Sequence, residues 1–496
     1  MTRSVVVRAD GDSRIGLGHV LRSMAVADEL ARTGACVTYL CRRLSPWAAA
    51  QLEERGFRVE MVDLDEASEQ TDDAIASIAA VERAGADTVL LDHYGLTKAW
   101  TQKVRAHSQV LIAAFDDLAA DTRTVDVLID GSPGRLAADY QGLIPEQAVC
   151  LVGPAYAPLR PEFSLAREAR RGAPNDICRV AISMGGVDPD GVTLTCLDAL
   201  DGRADLDLTV ILSSDAAKLG ATKARVARMK TPTRLLLDRT DMAAVLKDMD
   251  LVIGAGGTSS LERCALGLPT VLAVLADNQS FNAKQLAQAG AVAILPDLSA
   301  EAIRQTVEPL LEDPDERARM GQNAAQLCDG LGAPRVGYAI VAQQSKVTLR
   351  PVTPNDMHVI HDWQSEPQAR QFSRNTTVPS IEEHSAWFKA RLARLDRDPF
   401  HIILHEGKPA GFIRLDHTDA PDTWEVSVLV SQTYQRRGIA RAALSLLRLM
   451  HPKPNIVAEV DPRNTPSQRV FETTGYRRMA PHRFRSAGWL EIAEKH

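Results

Sequence analysis

Nowhere in the 496 residues do apolar positions run on for the roughly 18 that a membrane-spanning helix needs. The strand-like Ser4 to Arg8 near the start is too short for a signal-peptide core. Membrane insertion and export are therefore not expected, and the expected compartment is the cytoplasm. A basic surplus is missing as well: 57 Lys and Arg stand against 64 Asp and Glu, a net charge of -7, which excludes the positive footprint of a nucleic-acid binder. Cysteine is scarce and unpatterned. The seven (Cys36, Cys41, Cys150, Cys178, Cys196, Cys264, Cys328) are an odd number with no C-x-x-C pair and no histidine at metal-ligand spacing, so reduced, mostly buried thiols are expected. There is no internal repeat or low-complexity tract. What remains is a globular composition, 45% apolar and 24% charged, in a chain that at about 100 to 200 residues per domain holds roughly three domains.

From Ser4 to Val152, short β-branched runs alternate with helical text: Ser4 to Arg8, Ala35 to Cys41, Arg58 to Val62, Thr88 to Asp92, Val110 to Asp116, Val125 to Asp130 and Ala148 to Leu151. That alternation is the sequence form of β-α units in a parallel sheet. The proline-punctuated run Gly153 to Phe163 continues neither helix nor central strand and reads as an interdomain crossing. A second alternation starts at Arg179 to Met184 and passes through Leu208 to Leu212, Thr233 to Leu237, Leu251 to Ile253, Thr270 to Leu275 and Ala291 to Leu295. Helical text from Ala300 to Cys328 and a last helix to Gln344 close this half. At Val347 the text restarts as a strand, cysteine vanishes, and histidine and arginine become frequent. The expected domains are 1–155, 156–344 and 346–490: two Rossmann-type α/β domains with a cleft between them, then an α+β domain.

The first chemical signal follows the first strand. In Asp10-Gly11-Asp12-Ser13-Arg14-Ile15-Gly16-Leu17-Gly18-His19-Val20-Leu21-Arg22, Gly16 and Gly18 allow a sharp turn and close approach of a ligand, and His19 falls at the start of a helix expected to run on through Ser23 to Arg32. The bland alternative is a turn whose histidine merely packs. A second signal is Gly254 to Glu262, directly after a strand. Its Gly256, Gly257, Thr258 and Ser259 suit a diphosphate held by backbone N–H groups, with Glu262 one turn later placed for a ribose. Asp277 to Asn282 adds amides.

Together, Ile15-Gly16-Leu17-Gly18-His19-x-x-Arg22, Asp92-His93-Tyr94, the Gly153 to Phe163 crossing, Gly256-Gly257-Thr258-Ser259-x-x-Glu262 and Gln279-x-x-Asn282 resemble the UDP-sugar hydrolases of pseudaminic acid synthesis over residues 1 to 342. The resemblance implies a GT-B fold, like that of the peptidoglycan N-acetylglucosaminyltransferases, and removal of UDP from UDP-2,4-diacetamido-2,4,6-trideoxy-β-L-altropyranose. It implies His19 as the general base on water, and Tyr94 and Asn282 at the sugar or water. UDP-sugar binding falls to Gly16, Gly18, Arg22, Gly256 to Ser259, Glu262 and Gln279. No cluster of Asp and His obliges a metal, and Asp63-Leu64-Asp65 reads as a solvated loop.

The second site lies in the last domain. Val428 to Val430 ends a strand, and Gln435-Arg436-Arg437-Gly438-Ile439-Ala440 at the following helix start presents N–H groups and charge to a pyrophosphate. With Asn464-x-x-Ser467 and Gly475-Tyr476, this resembles the GNAT acetyltransferases over 347 to about 480. The resemblance implies acetyl-CoA as cosubstrate, bound by Val428, Val430, Gln435 to Ala440 and Asn464. Many members carry a tyrosine acid four residues before that glycine. Here the position is Phe471, which leaves Ser467 or water as proton donor and Glu425 as candidate base. Acetylation of a UDP-4-amino-sugar and hydrolysis of the product are consecutive reactions, so the expected partners are a UDP-activated aminosugar, water and acetyl-CoA. The rival reading is a GT-B glycosyltransferase fused to an acetyltransferase of other specificity, weakened by the lack of a basic, apolar membrane-facing stretch near the first loop. A catalytically silent sugar-nucleotide sensor is the non-enzyme alternative.

Overall fold

The computed structural model describes residues 3–12, 14–64, 68–170, 177–451 and 455–486. Ser13, Asp65 and residues 487–490 of the expected third domain lie outside the described residues. The first sheet has seven strands, β1 (Ser4–Ala9), β2 (Cys36–Cys41), β3 (Arg58–Met61), β4 (Thr88–Asp92), β5 (Leu111–Phe115), β6 (Val127–Asp130) and β7 (Val149–Val152), in the order β3-β2-β1-β4-β5-β6-β7. β1, β4 and β5 are buried at every position, as a parallel sheet covered by helices on both faces requires. Strand order reverses between β1 and β4, which run parallel from Val5↔Thr88 to Ala9↔Asp92. The carboxyl ends flanking such a switch point are where open α/β sheets leave room for ligands.

The second sheet repeats this plan with β8 (Cys178–Ser183), β9 (Leu206–Leu212), β10 (Thr233–Leu237), β11 (Leu251–Ala255), β12 (Thr270–Ala273) and β13 (Ala293–Ile294), ordered β10-β9-β8-β11-β12-β13. Successive residues of β8 feed opposite cores, Val180 and Ile182 one and Ala181 the other, so both faces are covered. The third sheet is mixed: β14 (Val347–Pro351), β15 (Phe400–His405), β16 (Lys408–His417), β17 (Thr423–Val430), β18 (Asn455–Glu459), β19 (Tyr476–Ala480) and β20 (Arg483–Ser486). β14 to β17 are antiparallel neighbours. β17 and β18 pair in parallel from Thr423↔Asn455 to Glu425↔Val457, and β17 then continues to Val430 paired with β16 but no longer with β18.

The first helix begins at Gly18, which puts His19 in its first turn. Two features differ from the sequence expectation. The helical text after Ala300 divides into Ala300–Glu312, Pro314–Leu327 and Gly332–Ser345, the second helix starting on Pro314 with Asp313 accepting from the N–H groups of Asp315 and Glu316. The hairpin β19–β20, which carries strong charge on its exposed side, was not anticipated.

The chain divides into two compact units: 1–129, 140–150 and 334–496 in the first, 130–139 and 151–333 in the second. In the first unit the third sheet's domain and the first sheet's domain share a buried polar interface. Arg448, nearly inaccessible, donates to the carbonyls of Thr474 (2.8 Å) and of Arg32 across the interface. Arg3 Nη1 donates to Ser445 Oγ at 3.2 Å. Backbones approach closely: a Cβ on Gly475 would stand 2.0 Å from Arg32 O, and one on Gly34 2.4 Å from Thr473 O. Among the described residues no helix is long and apolar enough to cross a membrane.

Candidate functional sites

His19 sits in the first turn of the helix Gly18–Arg32, which leaves β1 beside the switch point, and Asp92 closes β4 next to it. The loop between strand and helix is tied by Asp12, whose Oδ1 accepts from the N–H of Arg14 (2.9 Å) and Ile15 (3.0 Å), and Gly16 turns at a φ of +81° that disfavours other residues. His19 Nδ1 lies 2.6 Å from Asp92 Oδ1. With Nδ1–H donating to the carboxylate, Nε2 carries the lone pair and is the basic nitrogen. Arg22, one turn along, grips the same carboxylate through Nε and Nη2, both at 2.7 Å, and reaches Asp117 through Nη1 at 2.9 Å. Tyr94 OH donates to Asp117 Oδ2 at 2.9 Å, and its ring meets His19 edge-on at 4.6 Å between centroids.

Burial alone would raise Asp92, but the charge and hydrogen bonds of Arg22, then of His19, outweigh it and hold the carboxyl below its ordinary range. Tyr94 is pushed up by burial and by Asp117, so it stays a phenol that donates. His19, Tyr94 and Arg22 are thus brought into one network. Arg22 is engaged with two carboxylates rather than left open for a nucleotide. Asp92 and Asp117 had no assigned role from sequence. Asp92 carried a usable signal, an acid at the end of a strand flanking the first, whereas Asp117 became visible only through contacts.

In the second unit the loop after β11 leads into the helix Ser259–Ala265. Gly256 N–H is taken by Ala273 O at 3.0 Å, so the main-chain donors for an anion are those of Gly257, Thr258 and Ser259. Space above Gly257 is open. Buried Arg263 braces the loop from below, donating to Ala255 O (2.7 Å) and Ser259 Oγ (3.1 Å). Burial raises Glu262 above the usual carboxyl range, with Arg160 opposing from 3.7 Å. Gln279 Oε1 accepts from Leu275 N–H (3.0 Å) and would lie 3.3 Å from a Cβ on Gly256, which places it at the loop. Asn282 is half-buried on the helix Ser280–Gln288 that follows. Arg160 and Arg263 were missed because nothing local distinguishes them from surface arginines.

The third site is a cleft of about 470 Å³ where β17 and β18 part, lined by Val428, Val430, Gln435, Asn464, Ser467, Phe471 and Glu425 among others. Gly438 caps the helix Ile439–Met450 at a φ of +75°, with Arg436 exposed before it and Arg437 stacked 5.6 Å over Tyr434. Ile439 is buried and Ala440 half-buried at the start of that helix. Asn464 Oδ1 caps the helix Thr465–Glu472 by accepting from Ser467 N–H at 3.1 Å. These features suit acetyl-CoA: strands that separate to admit an extended chain, and a positively charged helix start for a pyrophosphate. Phe471 is buried, packed edge-on against Tyr476 at 5.0 Å.

Residues 346–477 match the acetyltransferase (GNAT) domain, and residues 198–331 match the glycosyltransferase family 28 C-terminal domain. The chain is 25% identical over 289 residues to the UDP-2,4-diacetamido-2,4,6-trideoxy-beta-L-altropyranose hydrolase of Campylobacter jejuni, covering 58% of this chain and 97% of that enzyme. It is 22% identical over 493 residues to an uncharacterized protein of Methanocaldococcus jannaschii, covering 96% of each. Crystalline MurG of Acinetobacter baumannii superposes with a TM-score of 0.52 at 18% identity over 68% of this chain and 99% of its own, which shows the GT-B fold. The protein is an enzyme in which a GT-B part resembling UDP-sugar hydrolases is joined to a GNAT acetyltransferase domain.

Proposed function

We propose that the protein performs two consecutive reactions of pseudaminic acid synthesis. The GNAT domain acetylates the 4-amino group of UDP-4-amino-4,6-dideoxy-N-acetyl-β-L-altrosamine, and the GT-B part hydrolyses the product, UDP-2,4-diacetamido-2,4,6-trideoxy-β-L-altropyranose, to UDP and the free sugar. The observation that carries the hydrolytic half is the buried Asp92 aligned 2.6 Å from His19 Nδ1, which leaves Nε2 as a base at the crevice end of β1. His19 Nε2 takes a proton from water while the water oxygen bonds to C1 of the sugar and the C1–O bond to the diphosphate breaks. The charge developing on departing UDP is met by the N–H groups of Gly257 to Ser259, with Glu262 and Gln279 on the nucleotide. Tyr94 and Asn282 contact the sugar or water. The 25% identity to a hydrolase of this substrate supports the reading.

In the acetyl transfer the amine nitrogen bonds to the thioester carbon, the C–S bond breaks, and the thiolate takes its proton from Ser467 or water, Phe471 having none to give. The two sites share the intermediate by diffusion. Hydrolysis is tested by supplying the UDP-diacetamido sugar in ¹⁸O-labelled water. Label in the free sugar and none in UDP supports attack at C1; label in the phosphate, or no turnover without an added acceptor, contradicts it.

A further inference from the structure

Two carboxylates that line the acetyltransferase cleft come together at one point. Glu425 on β17 is level with Val457 on β18, so Glu459, two residues on, shares its face of the sheet. Both carboxylates converge on one nitrogen: Arg374 Nη2 donates to Glu425 Oε1 at 2.6 Å and to Glu459 Oε2 at 2.6 Å. Arg374 comes from the segment between the helices Pro367–Gln371 and Ile381–Leu392, and its side chain is 68% exposed, so it enters from the solvent side. A separate observation points to a ligand in the same cleft. Arg414 lines it with a buried Nε that has no hydrogen-bond partner among the described residues, and burial depresses its pKa. A buried donor left unpaired is matched when a ligand oxygen arrives.

We propose that Glu425 and Glu459 together seat the ammonium group of the acceptor, that Arg374 occupies this seat until the acceptor displaces it, and that Arg414 Nε donates to an oxygen of the same acceptor. The proposal rests on the acetyltransferase reading of the cleft. An ammonium is a compact cation with three donors, and two carboxylates at one point satisfy two of them. Arg374 is mostly exposed, and ion pairs made by an exposed arginine are weak, so an ammonium displaces it readily. A hydroxyl carries no charge and does not, which directs acetylation to nitrogen and away from the sugar's oxygens. Once seated, the ammonium gives one proton to Glu425, the freed lone pair bonds to the thioester carbon, the C–S bond breaks, Ser467 or water protonates the departing thiolate, and the second proton on nitrogen replaces the one that Ser467 or water gave. The products are the amide, coenzyme A and protonated Glu425, which returns its proton to water.

The test compares wild type, Glu459→Gln and Arg374→Ala in the full chain, with acetyl-CoA and the UDP-4-amino-sugar. Glu459→Gln raises KM for the amine about tenfold, the loss of one charged hydrogen bond, and leaves KM for acetyl-CoA unchanged. Arg374→Ala lowers KM for the amine, a direction opposite to that of any residue needed for folding or substrate contact. A KM for the amine within twofold of wild type in Glu459→Gln, or a raised one in Arg374→Ala, overturns the seat. If wild type binds acetyl-CoA yet leaves this sugar unacetylated, the substrate assigned above is wrong, and the same two KM ratios on a lysine peptide judge the seat.

Discussion

Replacing Gly475 by alanine tests whether the acetyltransferase domain is built against the first Rossmann domain. Gly475 has a φ of +74°, and a Cβ there would meet Arg32 O at 2.0 Å and Arg448 Nη1 at 2.6 Å. Gly407, in the same domain, has a φ of +75° with nothing within 4 Å of the added atom. The left-handed backbone costs alanine about 1 to 2 kcal/mol at either position. Only Gly475→Ala adds overpacking, about 1 to 3 kcal/mol, so it should destabilise by about 2 to 5 kcal/mol in total. Gly34→Ala approaches the interface from the Rossmann side, at a φ of +89° and 2.4 Å from Thr473 O, with Gly56 (φ +71°, open space) as its control. Urea unfolding followed by far-UV circular dichroism gives each difference. Since Gly34 and Gly475 share the interface, the double variant should cost less than the sum. Equal losses, within about 0.5 kcal/mol, for Gly475→Ala and Gly407→Ala would refute the reasoning, because the matched backbone angle leaves the contacts with Arg32 and with Arg448, which itself bonds Arg32, to separate them.

Three further outcomes are expected. Asp92→Asn should lower kcat for UDP release about 10²-fold or more with little change in KM, because the partner that fixes the His19 tautomer is lost; an unchanged kcat refutes the dyad. Burial raises Glu29 from 4.5 to about 7 despite its 2.7 Å bond to Arg32, so between these values the folded chain holds a proton that the unfolded chain has released. Stability should therefore fall as pH rises through that window, by at most roughly 3 kcal/mol, and level off above it; Glu29→Gln should flatten the slope in urea midpoints measured from pH 4.5 to 8. Arg437→Ala should raise KM for acetyl-CoA about tenfold without touching UDP release, and equal effects on both reactions would contradict separate sites.

The fold was readable where local signals agree with burial. The short strand-like runs of β1, β4 and β5, alternating with helical text, announced a parallel sheet, and Gly16-x-Gly18-His19 and Gly256-Gly257 fell at strand ends flanking switch points. What sequence does not display is partnership between residues far apart. Asp117 joins Arg22 and Tyr94 from nearly 100 and 20 positions away, Arg160 reaches Glu262, and Arg374 brings Glu459 to Glu425. Glu459 reads as an ordinary strand-end charge until β17 and β18 are paired. Arg448 is hidden for a related reason, since in a helix with apolar neighbours a buried arginine and a surface one look alike.

The central claim, two consecutive enzymes in one chain with His19 as the base of the second, is tested most directly by one experiment. Wild type and His19→Ala are each given acetyl-CoA and the UDP-4-amino-sugar, and products are followed by mass spectrometry and NMR. The account predicts UDP and free diacetamido sugar from wild type, and accumulation of the acetylated UDP-sugar in the variant. Wild type that stops at the acetylated UDP-sugar, or a variant that releases UDP at the wild-type rate, would contradict it.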